Sequence, residues 1–382
     1  MKRKVFLSFL LILLTVINAY SNEANQSVNS FDDKLFESLY SQDENVNYSS
    51  LSIYSLLYAL AKGSDKQTFQ QIKEVIDYTP SKDFDNQMLK LMSNTENMSN
   101  SLWYKNSLEF KDAYKLFMSD FNFTAKPVDF TKGSQVRKEI NQFISNKTKK
   151  LINNFLSQDL PSSTRLVLLN TLYFNQKWKK KFNKNFTSEE VFFKKADTKI
   201  NVQMMHQKSG FYYFDDEEFQ MLELPYGDDR YSMIIFLPKT LDYDFSKTSP
   251  SALVQKFELN KGYESIELSF PKFDLSNRYD LIPTLQKLGM TDVFNSQTSD
   301  LSKIFTKGSD IYVDSAIHQV KITVNEKETK AVAVTMFGAK GASFTPQRSI
   351  VFKADHPFCY VIRDKELDIN LFTGLVRDPK SL

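Results

Sequence analysis

Apolar residues near the start of the chain recur with the spacing of helices. In "LSIYSLLYALAKG" (51–63) they lie three or four positions apart, on one helical face, and Gly63 stands where a C-terminal cap is expected. In the next segment, "TFQQIKEVI" (68–76), Thr68 and Gln71 have the spacing of a capping box, which predicts the start of a second helix. The same helical period recurs in two later segments, residues 134–156 and 279–289.

The second half of the chain has the patterns of strands. The segments "RLVLLNTLYF" (165–174) and "YSMIIFLP" (231–238) are apolar on both faces, as central buried strands are. Apolar and polar residues alternate in residues 265–273 and 318–324, and residues 359–376 predict a hairpin that turns near 364–366. Helices therefore come first and strands dominate later, without regular alternation, which predicts an α+β fold.

The first residues have the layout of a secretory signal peptide. Lys2, Arg3 and Lys4 precede a short apolar run that ends in small residues, which predicts cleavage after Ser21. An uncleaved membrane anchor is the alternative, but the run is short for a membrane span. We therefore expect a signal peptide over residues 1–21, a secreted protein (extracellular or periplasmic), and no membrane association after cleavage.

The rest of the chain has the size and composition of one domain, residues 22–382. The whole chain has 382 residues, 41% of them hydrophobic, and no linker or repeat divides residues 22–382. The formal net charge of +3 falls to zero without the three N-terminal cations, so nucleic acid is not an expected partner. The lysine-rich segment "QKWKKKFNK" (176–184) suits either a polyanion site or a solvated strand end, and we favour the strand end.

The residues that usually carry catalysis or bind metals are few. His206, His318 and His356 have no metal-ligand spacing, and the motifs of nucleophilic hydrolases and nucleotide-binding loops do not occur. Cys359 is the only cysteine, so it forms no internal disulfide and is expected to be a buried apolar residue. His356 lies only three residues from Cys359, whereas a catalytic pair is normally distant in sequence. The sequence therefore predicts no enzyme, no metal site and no cofactor.

One segment combines the pattern of a strand with the composition of a loop. In "VNEKETKAVAVT" (324–335) every second residue from Thr329 is small, and the chain then runs into "MFGAKGASFTPQ" (336–347), which is typical of an exposed loop. Taken alone, the pattern is also that of an ordinary edge strand.

Seven ordered blocks of the sequence resemble the serpin family. They are "NVNYSSLSI" (45–53), "INQFISNKT" (140–148), "LLNTLYFNQKWKKKF" (168–182), "LELPYGDDRYSMIIFLP" (222–238), 268–294, "HQVKITVNEKETKAVAVT" (318–335) and "FKADHPFCYVIRD" (352–364). The resemblance implies a fold of three β-sheets and about nine helices, with an exposed reactive-centre loop at about 326–350. It usually implies an inhibitor that is cut by a serine protease, holds it as an acyl-enzyme, and inserts the cut loop into the main sheet. A non-inhibitory carrier or chaperone-like serpin is the alternative.

The loop of this chain both matches and departs from the serpin pattern. Insertion buries one face of the loop, and the residues that the resemblance assigns to the hinge are Glu326, Glu328, Thr329, Ala331, Ala333 and Thr335. The small members of this set would face inward, where an unpaired charge would cost several kcal/mol. Glu328 replaces the glycine that usually stands in the hinge, which removes backbone freedom and could slow insertion.

The resemblance also assigns the cut bond and two polar clusters. Counting the usual loop length from Glu326 gives Ala342–Ser343 as the reactive bond, which suits an elastase-like or subtilisin-like protease, and Lys340–Gly341, which suits a trypsin-like one, is the rival. The "shutter", expected to be a hydrogen-bonded latch beneath the strands that part, comprises Ser49, Ser52, Asn170 and His318. The "breach", where the loop first enters, comprises Trp178, Lys272 and Glu326. A monomer is expected.

Overall fold

The computed structural model describes residues 23–95, 97–174, 176–227, 229–306, 311–326 and 349–380. Within these ranges the chain forms eight α-helices: α1 (Glu23–Leu39), α2 (Ser50–Gly63), α3 (Lys66–Val75), α4 (Lys82–Asn94), α5 (Asp112–Asp120), α6 (Gly133–Lys147), α7 (Pro250–Asn260) and α8 (Leu281–Lys287). None of these helices combines the length and the apolarity that crossing a bilayer requires.

Fourteen strands complete the described part of the fold. They are β1 (Val46–Tyr48), β2 (Met98–Lys105), β3 (Thr124–Val128), β4 (Leu166–Phe174), β5 (Ser188–Lys195), β6 (Thr198–Asp215), β7 (Phe219–Pro225), β8 (Tyr231–Pro238), β9 (Gly262–Pro271), β10 (Phe273–Asp280), β11 (Ser315–Val324), β12 (Ile350–Lys353), β13 (Phe358–Asp364) and β14 (Ile369–Val376). Six helices precede most of the strands, so the predicted α+β class is confirmed.

The strands form two hydrogen-bonded sheets within the described residues. The five-stranded sheet has the order β10-β11-β4-β2-β3, and the nine-stranded sheet has the order β1-β14-β13-β8-β7-β6-β9-β12, with β5 added on β6. The resemblance implied three sheets. The larger sheet here is continuous because β6 pairs with three strands along its length. It pairs with β5 over residues 198–204, with β9 over residues 204–213 and with β7 over residues 212–215.

Strand β4 lies at the centre of the five-stranded sheet and is buried on both faces, as its sequence predicts. Eight of its nine residues are buried. Leu168 and Leu172 face the main core, while Val167 and Leu169 face a second cluster with α6 and with Ile317 of β11. Helix α6 therefore covers one face of the sheet at the place where β4 and β11 meet.

The predicted helix boundaries are wrong in three places, each for a local reason. Gly63 is the last residue of α2 and not a left-handed cap, since the cap is Ser64. Helix α3 begins at Lys66, so Thr68 lies inside it, and Gln71 accepts hydrogen bonds from the backbone of residues 291 and 292 instead of closing a capping box. Helix α6 ends at Lys147 and not near 156, because the chain turns into positive φ at residues 149 and 150.

Gly63 is required by packing. A Cβ on this residue would lie 2.2 Å from Cγ1 of the buried Ile304 side chain. We predict that Gly63→Ala lowers the free energy of unfolding by about 1–3 kcal/mol, despite the better helix propensity of alanine, because the core is overpacked. Urea unfolding checks this, with Gly262→Ala as the matched control: the Cβ there meets nothing closer than 3.8 Å, and the expected change is within about 0.5 kcal/mol. Equal effects of the two substitutions would contradict this explanation.

Candidate functional site

A row of polar side chains crosses the five-stranded sheet. Asn100 of β2 lies opposite Asn170 of β4, Asn170 lies opposite His318 of β11, and His318 lies opposite Tyr279 of β10. Residues opposite each other in neighbouring strands point to the same face, so these four side chains are neighbours by register. The row therefore crosses the boundary between β4 and β11, which we call the seam.

His318 joins the two sides of the seam and also holds a helix. Its Nε2 lies 3.1 Å from the backbone nitrogen of Ser49 and accepts that N–H. The neutral ring therefore carries its proton on Nδ1, which donates to Oδ1 of Asn170 at 2.6 Å. One imidazole thus connects β11 to β4 and to the N-terminus of α2.

The other two predicted shutter residues complete this network. Ser49 is the N-cap of α2, and its Oγ accepts the N–H of Ser52 at 3.3 Å. The hydroxyl of Ser52 donates to Oδ1 of Asn170 at 2.7 Å, and Asn170 Nδ2 donates back to the carbonyl oxygen of Ser52 at 3.2 Å. The structure therefore brings all four shutter residues together, and each of them is fully buried.

Burial fixes the protonation state of this network. Desolvation lowers the pKa of His318 from its ordinary 6.5 to about 3, so the ring is neutral in the native state. Protonation of Nε2 would replace the acceptor of the Ser49 N–H by a second donor. The network is thus compatible with the neutral ring alone.

The breach residues meet at the end of β11. Trp178 stacks on Tyr226 with 4.2 Å between ring centroids, and its indole Nε1 donates to the carbonyl oxygen of Asn325 at 3.0 Å. Lys272 Nζ lies 3.0 Å from Oε2 of Glu326. These contacts hold Asn325 and Glu326, and Glu326 is the first residue of the predicted hinge.

Glu326 is a buried carboxylate with two partners. It is 4% exposed, and its Oε1 accepts a hydrogen bond from the hydroxyl of Thr187 at 2.8 Å. Burial alone would raise the pKa of Glu326, but its hydrogen bonds, including those from Lys272 and Thr187, outweigh burial and lower it. The group is therefore an ionised anchor and not a general acid.

Other predicted site residues lie outside the described residues. These are hinge residues Glu328, Thr329, Ala331, Ala333 and Thr335, the reactive bond Ala342–Ser343, and its rival Lys340–Gly341. The predicted signal peptide, residues 1–21, also lies outside them.

Two residues that the sequence did not single out complete these clusters. Asn100 accepts a hydrogen bond from Asn170 Nδ2 at 2.5 Å, and its signal was a lone amide in a strand that is otherwise mostly apolar or small. Thr187 contacts Glu326 from a distant segment, and nothing in its local sequence distinguishes it.

The geometry gives no support to a thiol nucleophile at Cys359. The cysteine is fully buried, and burial raises the pKa of its thiol. The two ring nitrogens of His356 contact Asp355 Oδ1 at 2.9 Å and the Pro238 carbonyl oxygen at 2.7 Å. Both nitrogens thus have partners other than the sulfur.

Comparison with known proteins identifies relatives along nearly the whole chain. The sequence model described as "Serpin (serine protease inhibitor)" matches residues 26–379. Serpin B3 of Homo sapiens is 30% identical over 375 residues, covering 89% of this chain and 95% of its own. Antithrombin-III of Homo sapiens is 32% identical, covering 88% of this chain and 77% of its own.

Solved structures agree with this result at the level of the fold. Uncleaved ovalbumin superposes with a TM-score of 0.80 at 24% identity, covering 94% of this chain and all of its own. A tumour suppressing serpin superposes with a TM-score of 0.83 at 23% identity over the same fractions. At these identities the likeness concerns the fold alone.

The neutral state of His318 predicts a specific pH dependence. Its native pKa lies below its unfolded value, so below about pH 6.5 the unfolded chain takes up a proton that the native state does not, and stability falls. Burial raises the pKa of Asp32 from 3.8 to about 6. Its effect on stability is opposite to that of His318, because as the pH falls the native state binds this proton before the unfolded chain does. We compare the wild type with His318→Gln, in which the contribution of Asp32 remains.

Between about pH 7 and pH 5, the wild type should lose about 2 kcal/mol of unfolding free energy relative to the variant, measured by urea unfolding. Parallel pH curves for the two proteins would show that His318 does not titrate as described.

The ion pair at the breach predicts a second difference in stability. Lys272→Met leaves the buried carboxylate of Glu326 without its cation and should lower the free energy of unfolding by about 1–3 kcal/mol. Lys208→Met is the matched control, because the Lys208–Glu267 pair is exposed on both sides and is worth about 0.5 kcal/mol. Urea unfolding checks both, and a Lys272→Met effect no larger than that of the control contradicts the anchor.

Proposed function

The chain belongs to the serpin family, and we propose that it is a secreted inhibitor that traps serine proteases by inserting its cut loop between β4 and β11. Serpins target serine proteases. The further steps, secretion, trapping and loop insertion in this particular chain, are our inference. The observation that carries this inference is the direct, parallel pairing of β4 and β11 at the seam.

The strand directions at the seam allow one more strand between β4 and β11. Strands β4 and β11 pair directly and in parallel, with eight residue pairs from Ser315 opposite Val167 to Ile322 opposite Phe174. A chain that leaves the end of β11 and reverses direction would run antiparallel to β11. Because β4 is parallel to β11, the same chain would also run antiparallel to β4.

Insertion would therefore exchange one parallel ladder for two antiparallel ladders. Parallel pairing is slightly less stable per residue than antiparallel pairing, and the new strand would add its own backbone hydrogen bonds. This exchange gives a physical reason for a metastable native sheet. Insertion of a serpin loop into a sheet is a general example of recognition by strand addition.

The sequence after β11 fits such a strand. The alternate residues Thr329, Ala331, Ala333 and Thr335 are small and uncharged, so they would pack on the buried face of a sheet without an unpaired charge. Val332 and Val334 between them favour extended backbone. The shutter network is the latch that such a strand would have to open, because the hydrogen bond between His318 and Asn170 crosses the seam.

A cavity beside α1 favours a second candidate function, that of a carrier. This cavity of about 500 Å³ lies between α1, α7 and the β13–β14 hairpin, and the largely buried Arg363 lines it. Its size suits a small organic ligand. The lining holds the carboxylates of Asp33, Glu258 and Asp368, whereas its one guanidinium is paired with Asp368, so a cationic or neutral ligand would fit best. Such a carrier would be cleaved by proteases without trapping them.

One incubation distinguishes the two functions. The intact protein is mixed with elastase, subtilisin or trypsin, and the products are examined on a denaturing gel and by mass spectrometry of the released C-terminal peptide. An inhibitor gives a covalent complex that survives boiling in detergent, and its cleaved form gains thermal stability. Cleavage that gives neither the complex nor the gain overturns the proposal and favours the carrier. The peptide mass identifies the bond as Ala342–Ser343 or Lys340–Gly341.

A substitution in the hinge tests insertion itself. Thr329→Arg would place an unpaired cation on the buried face, at a cost of about 3 kcal/mol or more, which slows insertion about a hundredfold. The variant should be cleaved as a substrate and form little complex, as measured by the inhibitor-to-protease ratio at full inhibition. Val332→Arg is the matched control, because its side chain would face outward and should leave the ratio near that of the wild type. Unchanged inhibition by Thr329→Arg contradicts the insertion argument.

A further inference from the structure

Several asparagines of the chain stand in the acceptor motif for N-linked glycans, which is Asn-X-Ser or Asn-X-Thr with X other than proline. They are Asn25, Asn47, Asn97, Asn122, Asn146 and Asn185. Some of these motifs arise by chance in a chain that is rich in asparagine, so the sequence alone does not select among them. Their exposure in the folded chain does.

The motifs that end in serine have buried or half-buried asparagines. Asn47 is fully buried, Asn25 is 8% exposed, and Nδ2 of Asn25 donates to the carbonyl oxygen of Leu367 at 2.5 Å. Asn97, the third asparagine of this kind, is half-buried in the turn before β2. A bulky glycan on Asn25 or Asn47 is incompatible with the close packing of α1 and β1.

The motifs that end in threonine have exposed asparagines. Asn122 lies in the turn after α5, Asn146 lies in the last turn of α6, and Asn185 lies between β4 and β5, and all of them are exposed. The enzymes that attach N-linked glycans accept threonine at the third position of the motif more readily than serine. The preferred form of the motif thus coincides with the accessible asparagines.

Asn185 differs from the other two exposed acceptors in what lies beside it. It belongs to a short 3-10 helix, Lys184–Phe186, that ends just before β5, and its neighbour Phe186 is 62% exposed. Single exposed apolar residues are common on protein surfaces. This phenylalanine, however, stands next to the free edge of a sheet.

Strand β5 is an edge strand of the nine-stranded sheet. Its inner edge pairs with β6 from Ser188 onward. Among the described residues, its outer edge has one backbone hydrogen bond, in which Phe193 donates to the carbonyl oxygen of Asp355 at 2.8 Å, near the far end of the strand. The start of β5 therefore offers unpaired backbone groups to another chain, and the adjacent phenylalanine adds apolar contact area.

We propose that Asn185 carries an N-linked glycan and that the first sugars of this glycan cover Phe186 and the start of β5. The inference rests on the secretion proposed above, because the transfer takes place in a secretory compartment. In the transfer, Nδ2 of Asn185 forms a bond to the anomeric carbon of the first sugar, and the bond from this carbon to a phosphate oxygen of a lipid diphosphate donor breaks. The lipid diphosphate leaves with the electron pair of that bond, and the amide nitrogen loses one proton. The apolar face of a sugar ring would pack on the phenyl ring.

The third residue of this motif also has a role in the folded chain. The hydroxyl of Thr187 donates to Oε1 of Glu326 at 2.8 Å, so the same side chain serves glycan transfer and the anchor at the breach. Thr187→Val would remove both. Asn185→Gln removes the acceptor nitrogen and leaves Thr187 in place, and it therefore separates the glycan from the anchor.

Expression of the full chain in a eukaryotic host that attaches N-linked glycans tests the site. Enzymatic release of the glycans in heavy-oxygen water converts each modified asparagine of the secreted protein into a labelled aspartate, which peptide mass spectrometry locates. We expect the label at Asn185 and none at Asn25 or Asn47. A secreted, folded protein without the label at Asn185 overturns this inference and leaves the proposed secretion intact. A chain that stays in the cytosol with residues 1–21 attached overturns both.

Two matched variants of the secreted protein test the covering role. Asn185→Gln and Asn146→Gln each remove one exposed acceptor, but Asn146 belongs to α6 and not to the edge of a sheet. In light scattering during mild heating, Asn185→Gln should aggregate at least about threefold faster than the wild type, and Asn146→Gln should stay within about twofold of it. The double variant Asn185→Gln/Phe186→Ser should return to near the wild-type rate, because the exposed apolar ring is gone.

The covering role is overturned if the two single variants aggregate equally fast, or if Asn185→Gln aggregates no faster than the wild type. Circular dichroism of each variant verifies that it is folded.

Discussion

Strands β4 and β11 lie side by side and run in the same direction, and the rest of the candidate site is arranged around this pairing. The ladder has eight residue pairs, in which β4 is buried on both faces up to Phe174, whereas Gln319 and Lys321 of β11 are half-buried. On one face the hydrogen bond between His318 and Asn170 crosses it, and on the other face α6 packs against both strands. In the mechanism proposed above, this sheet would exchange the parallel ladder for two antiparallel ladders, which are slightly more stable per residue.

The chemistry of the network suits a seam that opens and closes. An apolar pair at the positions of Asn170 and His318 would give the sheet a similar stability but would allow the two strands to slide past each other. Hydrogen bonds between defined donors and acceptors, in contrast, are satisfied in one register of the strands. The network also includes the N-cap of α2, because Ser49 gives its N–H to His318 and accepts the N–H of Ser52. In the proposed mechanism, separation of the strands would therefore release the start of a helix as well, and opening would be cooperative.

The sequence predicted the parts of the fold that have a strong period. Strands β4 and β11 are confirmed because their apolar patterns reflect burial directly. The predicted start of α3 and the predicted role of Gly63 as a helix cap were wrong, because Gln71 and Gly63 contact residues more than 200 positions away. Local patterns contain no information on such contacts.

The candidate site was predictable to different degrees. The shutter and breach residues came from a resemblance, and the structure brings them together, although their roles remain predictions. Thr187 could not be predicted, since its contact with Glu326 joins two segments that meet only in the folded chain.

The packing of α6 against β4 and β11 would affect how the rate of strand separation depends on temperature. Val136, Ile140 and Ile144 of this helix share an apolar cluster with Val167 and Leu169 of β4 and with Ile317 of β11, so strand separation must expose some of this surface to water. Hydration of apolar surface raises the heat capacity, so the activation enthalpy for opening would grow with temperature. An Arrhenius plot of the opening rate would therefore be curved, and a rate measured at one temperature would not transfer by linear extrapolation to a distant one.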